Sequence, residues 1–178
     1  MVAADGDRER DRGVTVTVVQ QSPGRDRVRR TALLRAVALG AAVVGLDQLT
    51  KNTVAASIAP GHQQSLLPGV HLVHVHNSGV AFGVLSGGGA IVLACTLLAL
   101  AALIVYFVVH PGRRGLWIPT GLLLGGAIGN LIDRIMHGSV TDFIKLPHWP
   151  AFNVADMAIT FGVIALLIVL ERGHGRNR

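Results

Sequence analysis

Charge is scarce in this chain of 178 residues, and its scarcity excludes most soluble folds. Charged residues make up 15% of the sequence and apolar residues 51%, whereas about 25% of an ordinary globular protein is charged. No lysine or arginine occurs between Lys51 and Arg113. The apolar residues form long blocks without an amphipathic stripe, and the mean hydropathy is +0.52. We therefore expect lipid to surround most of this chain.

Cysteine is nearly absent as well. Because Cys95 is the single cysteine, the chain cannot form an internal disulfide bond. The net charge of +6 could indicate a nucleic-acid partner, but eight of the sixteen basic residues lie within the first 35 positions. We interpret this uneven distribution as a signal of membrane topology and expect no nucleic-acid partner.

Four apolar segments predict four transmembrane helices. They cover about residues 31–49, 88–109, 116–132 and 151–170. The second segment is long enough alone, since a span needs about 20 mostly apolar residues, and the others reach that length by including polar residues at one end.

Basic residues predict the orientation of these helices. The N-terminal tail, the turn with Arg113 and Arg114, and the C-terminal tail all carry positive charge and are expected in the cytoplasm. Four crossings then place both termini inside and two weakly charged loops outside, at 52–87 and 133–150.

The predicted fold class is thus an all-α membrane protein with four transmembrane helices and both termini cytoplasmic. In the first outer loop, the alternating run 70–75 after Pro68 and Gly69 predicts a strand and hence a small extracytoplasmic β platform. We expect a disordered cytoplasmic tail at 1–30, a membrane domain at 31–171 and a basic cytoplasmic tail at 172–178. Within the first tail, 14–19 can form a brief strand.

Four aspartates fall at the same outer membrane level in this layout: Asp47, Asp133, Asp142 and Asp156. An ionisable group at membrane depth costs roughly 2.5–3.5 kcal/mol and therefore indicates function by default. One alternative is that they are helix-end residues wetted by lipid headgroups. A proton-coupled transporter subunit and a non-catalytic scaffold also remain open, although a proton relay would spread its acids through the membrane.

Amide side chains accompany these aspartates. Asn130 precedes Asp133 by three residues, and Asn153 precedes Asp156 by three, so each pair shares a helix face. Asn153 also suits the N-cap of the fourth helix, which is a purely structural role.

Five short strings carry a family resemblance. They are DQLTK at 47–51, HNSGVAFG at 76–83, GNLIDR at 129–134, VTDF at 140–143 and FNVAD at 152–156. Together they resemble lipoprotein signal peptidase, also called signal peptidase II, over about residues 33–170. Each string alone is weak, whereas five in the family's order are specific.

The resemblance implies an aspartyl endopeptidase of the bacterial cell membrane, with its active site at the extracytoplasmic face. Such an enzyme removes the signal peptide from prolipoproteins and cuts just before a cysteine that carries diacylglyceryl. The implied partners are this substrate and membrane lipid, for a protein that we expect to be a monomer without cofactor or metal.

The resemblance also assigns roles to individual residues. The implied catalytic pair is Asp142 and Asp156, and Asp47 and Lys51 are implied to hold helices together. The residues implied to bind substrate or support the site are Asn77, Gly79, Asn130, Asp133, Arg134 and Asn153. His76 departs from the family, which often has arginine there.

Local chemistry favours the same pair. Arg134 follows Asp133 and would keep that carboxylate ionised, whereas Asp142 lies beside Val140 and Phe143. A poorly solvated carboxyl near a second one shares a single proton with it, so the pair can activate a water molecule.

Other patterns are weaker. His74 and His76 share a strand face, but two ligands make a poor metal site, and Ser78 lacks the context of a serine nucleophile. The glycines of 121–129 are spaced for close packing between helices.

Overall fold

The computed structural model describes residues 23–78, 89–110, 113 and 115–174. Its helices are α1 (Pro23–Ser57), α2 (Gly89–Val109), α3 (Trp117–His137) and α4 (Val154–His174). Its strands are β1 (Gln63–Leu67), β2 (Val70–Asn77) and β3 (Val140–Lys145). The described chain is therefore mostly helical, with a small antiparallel sheet.

Helix α3 packs between α1 and α4, and glycines allow the close approach. A Cβ atom on Gly125 would lie 2.8 Å from the carbonyl oxygen of Gly40 on α1. A Cβ atom on Gly126 would lie 2.5 Å from the carbonyl oxygen of Ala155 on α4. The predicted role of these glycines in helix packing is confirmed.

The sheet has the order β1-β2-β3, and both pairings are antiparallel. Phe143 of β3 packs with Val54 and Ile58 at the end of α1, which anchors the sheet to the helices. The prediction that the platform lies within the first outer loop is wrong in part, because β3 comes from the segment between α3 and α4. Register places Val75 of β2 opposite Asp142.

Helix α1 is longer at both ends than the predicted segment 31–49. It begins at Pro23, since proline suits a first helical turn and arginine is a good helix former, so residues 23–30 are helical. Hydropathy marks only the apolar part of a helix and therefore misses such polar extensions. The other three helices begin within three residues of their predicted starts. Residues 1–22, including the run 14–19 that can form a brief strand, lie outside the described part of the chain.

By length and composition, two helical stretches of the described residues can cross a membrane: Asp26–Ser57 and Val154–Arg172. The apolar stretch Leu98–Val109 is shorter.

Candidate active site

The structure gathers the four aspartates into one polar network where α1, α3, α4 and β3 meet. Asp47, Asp133 and Asp142 are each no more than 3% exposed, and Asp156 is partly buried. Since buried carboxylates require partners, the hydrogen bonds around them define the site.

Lys51 is the cation of this network. Its Nζ lies 2.7 Å from Asp47 Oδ2 and 3.1 Å from Asp133 Oδ2, and it donates a hydrogen bond of 3.0 Å to Asn130 Oδ1. An ammonium group has three donors, and these acceptors use them all. Asp47 Oδ1 accepts a hydrogen bond of 2.9 Å from the backbone N–H of Ala155. Lys51 and Asp47 thus link α1 to both α3 and α4.

Of the two partners open to Asp133, the adjacent Arg134 or a side chain of another helix, the structure shows the second. Arg134 Nη1 instead donates to the backbone oxygen of Asn130, at 3.3 Å. Successive side chains of a helix diverge by about 100°, so neighbours in sequence rarely face the same group. Lys51 supplies the positive charge beside Asp133.

Asp156 is held at the first turn of α4. Its backbone N–H donates to Asn153 Oδ1 at 2.9 Å, and the backbone N–H of Asn153 donates back to Asp156 Oδ2 at 3.2 Å. This reciprocal pair is a capping box, so the predicted N-cap role of Asn153 is confirmed. Asp156 Oδ1 accepts a second hydrogen bond, of 2.8 Å, from Asn130 Nδ2.

Asp142 projects from β3 into the same network. Its Oδ1 accepts from Asn153 Nδ2 at 2.8 Å, and its Oδ2 accepts from Asn77 Nδ2 at 3.0 Å. Burial raises the pKa of Asp142 to about 6, the charge of Asp156 adds to the rise, and the bonds from Asn77 and Asn153 oppose it. Asp142 therefore holds a proton more readily than an ordinary aspartate.

Asn153 joins the two aspartates directly, because its side chain donates to Asp142 and its backbone N–H donates to Asp156. A carboxyl with a raised pKa beside a second carboxylate can supply an acid and a base at the same time. The arrangement thus suits the activation of water for attack on a carbonyl group.

The histidines lie outside this network. His74 is buried, and its Nδ1 lies 2.7 Å from the backbone oxygen of Ile58. Within the described ranges, no three His, Cys, Asp or Glu side chains are grouped so as to hold a metal ion.

Comparison with known proteins gives a consistent result. The profile of the signal peptidase (SPase) II family matches residues 39–171. The chain belongs to the signal peptidase II family.

Relatives named lipoprotein signal peptidase include one from Gloeobacter violaceus, 46% identical over 75% of this chain and 80% of its own length. Another, from Moorella thermoacetica, is 43% identical over 70% of this chain and 84% of its own length. A solved bacterial membrane enzyme superposes with a TM-score of 0.70 at 33% identity, over 84% of this chain and 92% of its own.

In this member of the family, seven residues predicted for the site contact one another in the network. They are Asp47, Lys51, Asn130, Asp133, Asp142, Asn153 and Asp156. Asn77 joins them through Asp142, and Arg134 donates to the backbone oxygen of Asn130. Gly79 lies outside the described residues.

Two groups of the network were not predicted from the sequence. Gln48 Nε2 donates to Asp133 Oδ1 at 3.0 Å, and the backbone N–H of Thr141 donates to Asp133 Oδ2 at 2.9 Å. Gln48 lies three residues before Lys51 in an apolar helix, which is a signal that could have been used. No sequence pattern predicts that the backbone N–H of Thr141 donates to Asp133.

Proposed function

We propose that this chain removes the signal peptide from prolipoproteins by cutting just before a cysteine that carries diacylglyceryl. Family membership and relatives named lipoprotein signal peptidase support this substrate class. The observation that carries the catalytic assignment is Asn153, which bonds both Asp142 and Asp156. Neither the family membership nor the contacts of Asn153 support the alternative of a proton-coupled transporter subunit.

The proposed mechanism uses the two aspartates as acid and base. Asp156 is the base: it accepts hydrogen bonds on both oxygens and takes a proton from a water molecule. The resulting hydroxide attacks the scissile carbonyl carbon while Asp142 donates its proton to the carbonyl oxygen. The tetrahedral intermediate then collapses and the C–N bond breaks. The leaving amine of the lipidated cysteine takes a proton from Asp156, and one hydroxyl of the intermediate returns its proton to Asp142 as the new carboxylic acid forms.

The pair titrates as a unit, and the raised pKa of Asp142 favours that residue as the carrier of the shared proton. In this scheme the reaction needs no covalent intermediate with the protein and no cofactor.

We further propose four membrane crossings in the bacterial cell membrane, with both termini in the cytoplasm, the site at the outer face and the protein acting as a monomer. The positive charge on the tails supports this orientation. A substrate can then keep its diacylglyceryl chains in the bilayer while its peptide reaches the carboxylates.

The test is cleavage of a diacylated lipobox peptide by purified protein in lipid, for the wild type, Asp142→Asn and Asp156→Asn. Since acid–base catalysis supplies roughly 10²–10⁴-fold, we expect each variant to lose at least about 100-fold in kcat. Asp26→Asn is the matched control, because Asp26 is exposed in the first turn of α1. Normal turnover by Asp142→Asn would refute the dyad, and equal cleavage of a peptide without lipid would refute the substrate class.

A further inference from the structure

Gln48 occupies an unusual position for a polar side chain. It lies in the apolar part of α1, and its Nε2 donates to Asp133 Oδ1 at 3.0 Å and to the backbone oxygen of Gly129 at 3.1 Å. The same nitrogen lies 3.3 Å from Asp47 Oδ2. Three acceptors around one amide nitrogen fix the orientation of this side chain.

The hydrogen bond from Gln48 orients the carboxylate of Asp133. The other carboxylate oxygen, Oδ2, accepts from the backbone N–H of Thr141 at 2.9 Å and lies 3.1 Å from Lys51 Nζ. Gln48 is the donor to Oδ1 within the described residues. The orientation of the Asp133 carboxylate therefore depends on Gln48 of α1, which donates to Oδ1, and on the Thr141 N–H of β3, which donates to Oδ2.

Thr141 connects this carboxylate to the dyad, because it immediately precedes Asp142 in β3. A rotation of the Asp133 carboxylate would pull on the backbone that carries Asp142. From this chain of contacts we propose that Gln48 is a positioning residue for Asp142, acting through Asp133 and the Thr141 N–H. The inference rests on the proposed function of the dyad.

Without its donor, Oδ1 of Asp133 would be a buried charged oxygen lacking a hydrogen bond, since Asp133 is 2% exposed. The carboxylate would turn both oxygens toward Lys51, and the bond to the Thr141 N–H would lengthen. Misplacement of a reacting group by about 1 Å can cost up to about 100-fold in rate.

The experiment compares two variants of similar size in the full-length protein in lipid. Gln48→Met removes the donor at every pH, whereas Gln48→Glu restores one O–H donor when its carboxyl is protonated. Asn52→Leu is the matched control, because Asn52 is an exposed amide one turn further along α1. The readouts are kcat, KM and thermal unfolding of each variant between pH 5 and pH 8.

We expect Gln48→Met to lower kcat by about 10- to 100-fold at all pH values, with KM unchanged. The ratio of Gln48→Glu to wild-type kcat should rise as the pH falls, because the protonated glutamate donates to Asp133. A residue that merely fills space would not give an acid-dependent rescue. Asn52→Leu should match the wild type.

Wild-type kcat in both Gln48 variants would overturn the proposal, and so would a constant ratio for Gln48→Glu across the pH range. Loss of the unfolding transition in both variants would also overturn it and would indicate a structural role. Failure of the proposed function is recognised separately, because the wild type would then not cleave the diacylated peptide, or Asp156→Asn would cleave it normally.

Discussion

At the scale of single residues, asparagine is the connecting side chain of this site. An amide donates and accepts at once, so it can stand between a cation and a carboxylate. Asn130 Oδ1 accepts from Lys51 Nζ and from Asn153 Nδ2, which leaves its Nδ2 to donate to Asp156. Aspartate at this position would turn an acceptor toward Asp156 and repel it.

The pKa of Asp142 leads to a prediction about pH. The proton that Asp142 donates to the carbonyl oxygen is lost as the pH rises through about 6. We therefore expect kcat/KM to fall above about pH 6. The hydrogen bond from Asn77 favours the ionised form of Asp142 and lowers its pKa, so Asn77→Leu should raise that pKa and move the fall to higher pH.

The measurement is the pH at half-maximal kcat/KM on the alkaline side, which does not depend on the absolute rate. Ser78→Ala is the control, since Ser78 is the exposed neighbour of Asn77. An unchanged midpoint for Asn77→Leu, or a shift to lower pH, would contradict the assignment of the alkaline fall in kcat/KM to Asp142.

At the scale of helices, the glycines of α3 bring α1 close enough for its polar residues to reach the site. A Cβ atom on Gly129 would lie 2.6 Å from Asp47 Oδ2. That oxygen cannot retreat easily, because Lys51 holds it at 2.7 Å and Ala155 holds the other oxygen of the same carboxylate. The packing of α1 against α3 and the geometry of the network therefore depend on one missing methyl group.

We expect Gly129→Ala to lower the free energy of unfolding by about 1–3 kcal/mol, because it overpacks a buried contact. It should also lower kcat, since it displaces Asp47 and with it Lys51. Gly45→Ala is the matched control: a Cβ atom at Gly45 would point into open space, so alanine should stabilise the helix by roughly 0.5–1 kcal/mol. The measurement is the free energy of unfolding of both variants in detergent. A change of the same sign in Gly129→Ala and Gly45→Ala would contradict this account.

Prediction from sequence succeeded where a segment is uniformly apolar. It failed where contacts between helices and strands determine the local structure or the partner of a side chain. Helix α2 begins within one residue of its predicted start because hydropathy alone marks it. Strand β1 was missed, since its QQSLL sequence is fully exposed and does not alternate. The aspartates were found because charge is rare in this chain, whereas the partner of Asp133 depends on a helix packing that no local pattern encodes.

At the scale of the whole molecule, the apolar clusters and the polar site are arranged along α1. Ala36 packs with Phe107 and Leu116 toward one end of this helix, and Val54 and Ile58 pack with Phe143 toward the other. Asp47 and Lys51 lie between them. Helix α1 thus connects the level of the proposed cytoplasmic tails to the sheet, and its orientation decides which side of the membrane the site faces.

The proposed orientation predicts which positions a membrane-impermeant maleimide can reach in intact cells. In a Cys95→Ala background, we expect labelling of cysteines placed by Gln64→Cys on β1 and Trp149→Cys after β3, because both positions are exposed on the sheet side. Gly24→Cys, at the N-terminal end of α1, and Glu171→Cys, near the C-terminal end of α4, should react only after permeabilisation. Retained peptidase activity in each variant is the control for folding. Labelling of positions 24 and 171 from opposite sides would require an odd number of crossings and would refute the four-helix layout. Labelling of both positions from outside would reverse the orientation, and the site would then not lie at the outer face.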